Sequence, residues 1–520
     1  MPARAGASLN IGVIELLTGV VSPNWTEHIY NSWFRRQFVS IMPQAVAAWC
    51  RQLGHQVSYA TYYGQQDPKS LLPDGLDIVF VSTYTQASPL AYALAKLYRH
   101  EKTLTVIGGP HAKAFSLDSL RFFDLVVQEC DKILIDAILR SSFERHTIIT
   151  SSSLLMDIPS VEERLPEIVK ASFTEGRPSM FSNVPLLSSI GCPYSCDFCV
   201  DWNKPYVLLP LDRLAADLRY ISEMIPGVLV AYHDPNFGVH LDRVLETIEI
   251  LPEKARNPYA MSCSLSTLKG SRLPRLQNTN CMYVGAGVES WTHYFDKAGS
   301  GPSEGIKKLE KVVAHFEALY PFVPSLGACF IFGTDRDKGE EPVELTQHFI
   351  RQVPYVWPGI SIPVPYGGTP LQESCLTEGR ILTSMPFSFY FTPYLALQLK
   401  HYGPLEYYEK LTRLIAYTLS LNLMIHRFSG TRRYRLKGLQ ALRSLALSGQ
   451  FLEMRHIRDQ LKNNEGFRAF HEGRGKPLPE FYRRRFKQGL GPYAELISPS
   501  EMAPELTPPA SSPRTHGFSG

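Results

Sequence analysis

Three cysteines near the middle of the chain have a spacing that suits iron-sulfur chemistry. Cys192, Cys196 and Cys199 form a CxxxCxxC pattern directly after an apolar, strand-like run. A 4Fe-4S cluster contains four irons and is usually held by four thiolates, so a loop with three thiolates leaves one iron open to a substrate or cofactor. The pattern therefore indicates a catalytic loop.

The alternatives for these cysteines are a zinc site, a disulfide pair or small core residues. A structural zinc site needs four protein ligands, usually in two pairs, and the chain has no second CxxC. The remaining cysteines stand singly, mostly in apolar runs, as free buried cysteines do, so we expect them in the core. They are Cys50, Cys130, Cys263, Cys281, Cys329 and Cys375. The cluster interpretation is favoured over these alternatives.

The segment from Cys192 to Cys199, CPYSCDFC, closely resembles the CxxxCxΦC motif of the radical SAM family. The resemblance implies that the amino and carboxylate groups of S-adenosylmethionine (SAM) bind the open iron. It also implies that the reduced cluster cleaves SAM to a 5'-deoxyadenosyl radical, with Phe198 beside the SAM. In such enzymes the protein positions the cofactor and excludes water.

Length and composition indicate a multidomain enzyme. The chain has 520 residues, more than one core usually covers, so we expect two domains and an extension. The residues before Asn10 lack the apolar stretch of a signal peptide, and no apolar run reaches membrane-spanning length. Nine cysteines with no paired framework agree with a reducing compartment. These features predict a cytoplasmic protein.

The first predicted domain, residues 9–145, alternates strand-like and helix-like segments, as a doubly wound parallel sheet requires. We therefore expect a Rossmann-like or flavodoxin-like α/β fold, in which ligands bind beyond the carboxyl ends of the strands. Residues 146–184, which are rich in Ser, Pro and Glu, are the predicted linker. The predicted strands are residues 10–16, 56–60, 78–82, 103–107 and 125–128.

Small and hydroxyl-bearing residues follow two of these strands. Ser82 and Thr83 follow one, and Gly108, Gly109 and His111 follow the next. Paired glycines let a backbone approach a bulky ligand closely. They also form ordinary tight turns between strand and helix, and composition alone leaves both uses open.

The order of segments 53–57, 77–82 and 106–111 resembles the cobalamin-binding domain that precedes the barrel in class B radical SAM enzymes. The resemblance implies that Ser82, Thr83, Gly108 and Gly109 hold the corrinoid, with His111 at the pocket edge. The Asp-x-His-x-x-Gly segment of many cobalamin proteins is absent, and residues 18–25 stand in its place. Either cobalamin is held without a protein histidine below cobalt, or the fold persists without the cofactor; the glycine turn favours retention.

Residues 185–384 show six further strand-and-helix units, which resemble the partial (β/α)6 barrel of radical SAM enzymes. Chemistry in such barrels occurs at the carboxyl ends of the strands. The predicted strands are residues 186–189, 228–232, 259–264, 282–288, 325–332 and 360–364.

Residues at later strand ends resemble further family positions. Asp234 and Asn236 match a D-x-N-F turn, which implies a place beside the substrate and adenosyl pocket. A carboxylate at a strand end also serves as a helix cap, and this alternative stays open for Asp234 and Glu289. The residues that the resemblance assigns to SAM are Phe198, Gly285, Gly287, Glu289, Ser290 and Gly333.

Residues 385–495 form a predicted helical, basic region, with helices expected at 390–402 and 405–424. Its clusters are 432–433, 435 with 437, and 483–485. Such a surface suits a phosphate-bearing substrate, anionic lipid headgroups or RNA, although a solvated helical face explains it equally simply. Because we expect this chain to be an enzyme that acts on a small molecule or a lipid, we do not expect it to bind nucleic acid. Residues 496–520 are a predicted disordered tail.

The class B resemblance implies a cobalamin-dependent methyltransferase that acts on an unactivated carbon of a small-molecule or lipid substrate. An external electron donor such as flavodoxin or ferredoxin would reduce the cluster. One alternative is a radical rearrangement or oxidative cyclisation without methyl transfer, and another is a non-catalytic cobalamin or redox sensor that binds nucleic acid. Methylthiolation of tRNA fits poorly, because the first domain contains only Cys50 and Cys130 for a second cluster.

Overall fold

A parallel sheet forms the centre of the first domain in the computed structural model. Its strands run in the order β6-β5-β4-β3-β1-β2, which is the flavodoxin-like order extended by one strand. The strands are β1 Asn10–Leu16, β2 Gln56–Tyr62, β3 Ile78–Thr83, β4 Leu104–Gly108, β5 Leu125–Val127 and β6 Thr147–Ser151. The structure describes residues 8–21, 23, 27–28, 30–31, 35–293, 296–430, 434–506 and 516–518.

Helices cover both faces of this sheet, because its central strands are apolar on both sides. All residues of β1 after Asn10 are buried, as continuous apolar runs of parallel sheets require. One core contains Trp49 and Tyr59, and the other contains Tyr92 and Phe123. The helices are Ile41–Gln52, Ser88–His100, Pro110–Ala114, Ser116–Leu120 and Lys132–Leu139. The predicted doubly wound fold is confirmed.

The predicted linker is largely regular structure. Its first part is β6, which extends the sheet of the first domain, so the boundary predicted at residue 145 is too early. Its second part is the helix Val161–Ser172, which Ser160 and Glu163 cap reciprocally. The Thr and Ser residues of β6 and the acidic first turn of the helix gave this stretch the composition of a loop.

The second domain confirms the partial barrel. In the described part of the chain, its parallel strands follow one another in sequence order from β7 to β14, with β8 and β9 set aside as a short hairpin. The strands are β7 Asn183–Leu186, β8 Ser189–Ile190, β9 Val207–Leu208, β10 Leu229–Tyr232, β11 Tyr259–Cys263, β12 Cys281–Glu289, β13 Ser325–Ile331 and β14 Val356–Ser361. The outer helices are Leu211–Met224, Leu241–Glu249, Arg272–Asn278, Gly305–Leu319, Glu341–Gln352 and Pro370–Thr377.

The last strand lies earlier than its predicted range of 360–364. Pro363 and Pro365 have no backbone N–H to give to a neighbouring strand, so pairing with β13 stops at Ser361. The residues that follow form the turn above the barrel. The strand therefore ends where the candidate site begins.

The C-terminal region is helical, but the helix predicted at 390–402 is wrong. Pro393 lies inside that range and cannot donate a helical hydrogen bond, and the chain there is irregular. The range predicted as 405–424 contains two helices rather than one. The helices of the region are Pro404–Thr418, Leu421–Gly430, Tyr434–Asn463, Glu465–His471 and Glu480–Leu490.

The tail predicted to be disordered packs against the first domain as far as Leu506. The Lys96 ammonium contacts the Glu501 carboxylate at 2.7 Å. The backbone N–H of Glu505 donates to Asp118 at 2.7 Å. A short strand, β15 His516–Phe518, pairs with β6, while residues 507–515 and 519–520 lie outside the described residues. Ion pairs and backbone hydrogen bonds thus order a segment of low-complexity composition.

Candidate active site

The cysteine loop leaves β7 at its carboxyl end and is closed by the β8–β9 hairpin. Gly191 begins the loop with φ +70, and a Cβ there would lie 2.1 Å from the carbonyl oxygen of Pro205. Only glycine fits such a conformation and such a close approach. The backbone N–H of Cys192 donates to the Lys204 carbonyl at 3.3 Å, so the hairpin fixes the first cysteine.

Hydrogen bonds to the turn after β14 fasten the far side of this loop. The Leu371 backbone N–H donates to the Asp197 carbonyl at 3.0 Å. The Trp202 indole N–H donates to the Gly368 carbonyl at 2.6 Å. The first and last units of the barrel therefore hold the cysteines jointly.

The three cysteines of this loop differ in how deeply they are buried. Cys192 and Cys196 are buried, and Cys199 is half-buried. The Cys199 backbone N–H donates to the Cys196 carbonyl at 3.1 Å, which folds the CxxC segment into a turn. Burial raises the pKa of the Cys196 thiol to about 11, and the Lys297 ammonium opposes that shift. Three thiols on one ordered loop fit an iron-sulfur cluster with an open iron.

Glu289 ends β12 in a left-handed conformation, with φ +64. Its carboxylate lies against the backbone of Gly287, where a Cβ would stand 2.3 Å from Oε1. Burial raises the pKa of Glu289, and the Lys297 and Lys308 ammonium groups oppose the rise. The predicted segment from Gly285 to Ser290 thus places a carboxylate near the cysteine loop, beside two cations.

Lys308 is a residue that the sequence analysis missed. It is buried on the helix Gly305–Leu319 and donates to the carbonyls of Ser290 at 2.5 Å and Thr292 at 3.0 Å. The lysine therefore holds the turn that follows Glu289. Its only sequence signal is a charge beside the apolar face of an amphipathic helix, which usually marks a solvated position.

Asp337 joins two predicted SAM residues and was also missed. Its Oδ1 accepts the Ser290 hydroxyl at 2.7 Å, and its Oδ2 accepts the backbone N–H groups of Gly333 and Thr334, each at 3.0 Å. Ser290 and Gly333 are therefore neighbours at the ends of β12 and β13. Asp337 stands three residues after Thr334, a spacing typical of a side chain that bonds nearby backbone.

Asp234 and Asn236 lie at the predicted strand end but point into protein rather than into a pocket. Asp234 Oδ1 accepts the hydroxyls of Ser188 at 2.6 Å and Ser189 at 2.5 Å. Asn236 exchanges hydrogen bonds with Ser264 at 3.0 and 3.1 Å. Both are buried and hydrogen-bonded within the protein and do not line the cavity at β12 to β14, so their place beside a substrate stays a prediction. Asp234 holds the two residues that precede the cysteine loop.

A cavity of about 450 Å³ opens at the carboxyl ends of β12 to β14. Phe198 and Glu289 line one side of it. Cys329, predicted to be a core residue, faces this cavity from β13 and is exposed to it. Side chains alternate between the two faces of β13, and Cys329 lies on the face that points into the barrel. The C-terminal region also contributes to the wall, through Phe391, Thr392, Leu397 and Gln450.

The turns after β3 and β4 in the first domain lie side by side, as the sequence predicts. Ser82 pairs with Gly108 in the sheet register. Gly109 has φ +90, and a Cβ there would stand 2.9 Å from the Ser82 hydroxyl and 3.2 Å from the Thr83 backbone nitrogen. Hydroxyls and a bare backbone at this edge fit the tail of a cobalamin.

The two domains meet at the carboxyl ends of their sheets. A Cβ on Gly367, in the turn after β14, would lie 1.7 Å from the Ala114 carbonyl oxygen. Lys204 of the cysteine hairpin contacts Glu129 of the first domain at 3.4 Å. The cysteine loop and the Ser82 and Gly109 turns are thus held on facing edges.

Two curated proteins of Chlorobaculum tepidum are similar to this chain in sequence, while no family model matches it. Bacteriochlorophyllide d C-8(2)-methyltransferase is 22% identical over 356 residues, which are 65% of this chain and 76% of that protein. Bacteriochlorophyllide d C-12(1)-methyltransferase is 23% identical over 309 residues, which are 58% of this chain and 66% of that protein.

Two solved structures share its architecture. The cobalamin-dependent S-adenosylmethionine radical enzyme OxsB, with aqua-cobalamin bound, aligns with a TM-score of 0.55 and 11% identity, covering 93% of this chain and 76% of that one. The radical SAM methyltransferase TsrM of Kitasatospora setae, with tryptophan substrate and a SAM analogue bound, aligns with a TM-score of 0.50 and 13% identity. This alignment covers 73% of this chain and 77% of that one. The chain has the class B radical SAM fold.

Within this class B radical SAM fold, His111 does not line an open pocket. It is fully buried, and its Nε2 contacts the Tyr92 hydroxyl at 2.6 Å. The Phe387 ring packs on the imidazole with centroids 4.9 Å apart, and burial lowers the pKa of His111 to about 3. The helix Pro110–Ala114 turns this side chain inward against Tyr92 and Phe387, and its place at the edge of a corrinoid pocket stays a prediction.

Glu15 is a buried carboxylate that the sequence analysis did not single out. Its Oε1 accepts the Ser40 backbone N–H at 2.8 Å, and among the described residues its Oε2 has no hydrogen-bond partner. Desolvation raises its pKa from an ordinary 4.5 to about 7, although hydrogen bonds from Ser40 and Tyr59 oppose the rise. In the sequence, Glu15 looks like a single polar residue near the end of the apolar strand β1.

The basic clusters of the C-terminal region are partly paired. Arg483 and Arg484 both contact Glu480, and Arg485 contacts Glu453. Residues 432–433 lie outside the described residues. Of the helices that the structure describes, none is both long and apolar enough to cross a bilayer.

Proposed function

We propose that this chain is a cobalamin-dependent radical SAM methyltransferase that adds a methyl group to an unactivated carbon of a small molecule. The observation that supports the proposal is that two sites face each other across the domain boundary. The three-cysteine loop and Glu289 share one cavity edge, and the Ser82 and Gly109 turns lie across the domain boundary. The methyltransferase names of the sequence relatives support this assignment.

Each cofactor has residues of suitable chemistry. Cys192, Cys196 and Cys199 would hold a 4Fe-4S cluster. Glu289 and the backbone of Gly287 would bind the amino end of SAM, since a buried carboxylate pairs with an ammonium group. The Ser82 and Gly109 turns would hold cobalamin. When bound, the cluster and SAM supply a radical that removes a substrate hydrogen atom, and cobalamin supplies the methyl group.

The chain's own residues orient and shield this site. Lys308 contacts the carbonyls of Val288 and Ser290 on either side of Glu289, and Asp337 accepts the Ser290 hydroxyl, so the Glu289 carboxylate is preorganised before SAM binds. Aromatic and aliphatic side chains close the cavity, and exclusion of water protects reactive species from side reactions.

The cavity favours an apolar small-molecule substrate. Its volume falls in the usual range of small-ligand sites, and Phe198, Ile331, Ile362 and Leu397 line much of it. Thr392 and Gln450 add polar contacts from the C-terminal region. The relatives named for bacteriochlorophyllide and the TsrM structure with tryptophan are consistent with a ring-containing organic substrate.

Reduction of the cluster requires single electrons from outside the chain. We propose a flavodoxin or ferredoxin as the donor and the cytoplasm as the compartment. The nine cysteines of the sequence, with none in a disulfide among the described residues, agree with a reducing environment.

Anaerobic reconstitution tests this function. The wild-type protein and Cys196→Ala are loaded with iron, sulfide and hydroxocobalamin, reduced, and incubated with SAM that carries a labelled methyl group. We expect wild-type protein to bind cobalamin and form 5'-deoxyadenosine, and Cys196→Ala to form none. Bacteriochlorophyllide d and tryptophan serve as probe substrates, with product mass as the readout.

The outcomes separate the alternatives. A product heavier by one labelled methylene unit supports methyl transfer. Deoxyadenosine with bound cobalamin but no label on cobalamin or product would instead support a rearrangement. A complete cluster that never cleaves SAM would overturn the enzymatic proposal and favour a sensor.

A further inference from the structure

The helix Leu421–Gly430 exposes three large apolar side chains beside the polar Asn422, His426 and Ser429. Leu421 is 73% exposed and Ile425 57%, and Phe428 is also exposed. Arg427 on the opposite side is only 1% exposed. A surface helix of a globular protein normally turns its apolar face inward and its charges outward. The exposed side of this helix is therefore more apolar than is usual for a surface in contact with water.

The long helix Tyr434–Asn463 shows the same feature over its first half. Positions 438, 441, 445, 449 and 452 are exposed at spacings of three and four residues, so they form one face. Glycine, alanine and leucine occupy all of them, with Leu445 and Leu452 as the large side chains. A solvated helical face of this length would carry charges. We call Leu421, Ile425, Phe428, Leu445 and Leu452 the exposed apolar face.

Both helices turn these residues to the same side of the molecule. The Arg427 guanidinium lies 5.0 Å from the centroid of the Trp357 ring on β14, and that of Arg443 lies 5.9 Å from the same centroid. Arg427 and Arg443 thus point inward at one strand from two helices. The sides opposite to them, which carry the exposed apolar face, therefore point outward together.

Basic side chains lie beside this face. The sequence has no Asp or Glu between Glu409 and Glu453, although Arg427 and Arg443 of that stretch point inward and do not belong to the rim. Lys437 lies with its ammonium 5.4 Å from the Phe428 ring, and the exposed Arg455 follows Leu452 by three residues. Long basic side chains that flank apolar ones suit a bilayer interface, where their heads reach phosphate groups.

We propose that the exposed apolar face docks on an anionic lipid bilayer, with Leu421, Ile425, Phe428, Leu445 and Leu452 in the headgroup and acyl boundary. Anionic lipid complements the basic rim, and each cation near such a surface strengthens attachment. A second copy of the chain fits less well, because pairing two such faces would bring like charges together. A nucleic acid fits less well, because the outward positions carry apolar side chains rather than cations.

Vesicle flotation tests the proposal on the full-length protein. The vesicles contain phosphatidylcholine alone or phosphatidylcholine with phosphatidylglycerol. The test variant is Leu421→Ser with Ile425→Ser, and the matched control is Met224→Ser with Ile250→Ser, which changes two side chains of 58% and 57% exposure elsewhere. Circular dichroism and cluster absorbance verify that all proteins fold.

We expect the wild type and the control to float with anionic vesicles, and the test variant to bind at least about tenfold less. High salt should weaken the binding of the wild type. Failure of the wild type to float, equal flotation of both variants, or equal binding to neutral vesicles would overturn the proposal. So would a wild-type dimer in light scattering that the test variant breaks without any vesicle binding. Because flotation needs no SAM cleavage, its result is independent of the proposed activity.

Discussion

The carboxylate of Glu289 lies against the α-carbon of Gly287, two residues earlier on β12. A Cβ on Gly287 would stand 2.3 Å from Oε1, which is closer than any real contact allows. The position of the carboxylate therefore depends on the absence of a side chain at residue 287.

Replacing Gly287 by alanine should displace Glu289 and disable the site. We expect deoxyadenosine formation to fall by about 100-fold, because a misplacement of about 1 Å in a positioned group costs that much. The matched control is Gly359→Ala on β14, where a Cβ makes only ordinary van der Waals contacts, with the Ala328 carbonyl oxygen at 3.7 Å and Cys329 Sγ at 3.8 Å. Equal losses in both variants would contradict a specific role for Gly287.

Iron content should distinguish the cluster cysteines from the cavity cysteine. Substitution of Cys192, Cys196 or Cys199 by alanine removes a thiolate ligand, so each variant should lose the cluster absorbance and most of its iron. Cys329→Ser changes a thiol that faces the same cavity from β13, and it should retain iron at the wild-type level. Loss of iron from Cys329→Ser would show that our assignment of the ligands is incomplete.

Cobalamin retention should depend on space at Gly109. Gly109→Ala places a Cβ 2.9 Å from the Ser82 hydroxyl, at φ +90. Gly54→Ala has nearly the same backbone cost, at φ +89, but its Cβ meets no atom of the described residues within 4 Å. We expect both to lose about 1 kcal/mol of stability and only Gly109→Ala to lose bound cobalamin, as measured from absorbance per chain. Equal retention by both variants would contradict a role of the Gly109 turn in holding cobalamin, and absence of bound cobalamin from the wild type would argue for a fold without its cofactor.

Stability should fall with rising pH because of Glu15. Its pKa is about 7 in the folded chain and near 4.5 when unfolded, so the folded state favours the protonated form. The stability it contributes is fully present below pH 4.5 and is lost as pH rises through 7. Relative to Glu15→Gln, the wild type should lose up to about 3 kcal/mol between pH 4.5 and 8. Urea unfolding of both proteins at several pH values measures this, and parallel pH curves would contradict the assignment.

The features predicted correctly from sequence are those fixed by local spacing. The cysteine loop, Glu289 and the Gly108 and Gly109 turn depend on a few consecutive residues, and the structure places them at strand ends as expected. The alternation of strands and helices similarly predicted both sheets, because a period of two or of 3.6 residues can be seen in the chain itself.

The features missed depend on which way a side chain faces after folding. Cys329 looks like any core cysteine until β13 turns it into the cavity. Asp234 has the expected position, but its carboxylate accepts hydrogen bonds from the hydroxyls of Ser188 and Ser189. Lys308 acts on a turn that lies 16 to 18 residues earlier, so no local pattern marks it, whereas Asp337 has only the weak signal of its spacing from Thr334. Polar edge strands such as β6 share the composition of loops.

The attachment of the C-terminal tail to the first domain has a consequence for biosynthesis. Lys96 contacts Glu501, which lies 405 residues later in the chain. At synthesis rates of about 5 to 20 residues per second, about 20 to 80 s pass between the synthesis of Lys96 and that of Glu501. The contact cannot form before then. During that interval the surface that later receives Glu501 and Glu505 is bare. The first domain therefore gains its final packed surface only after the C-terminal tail has been synthesised.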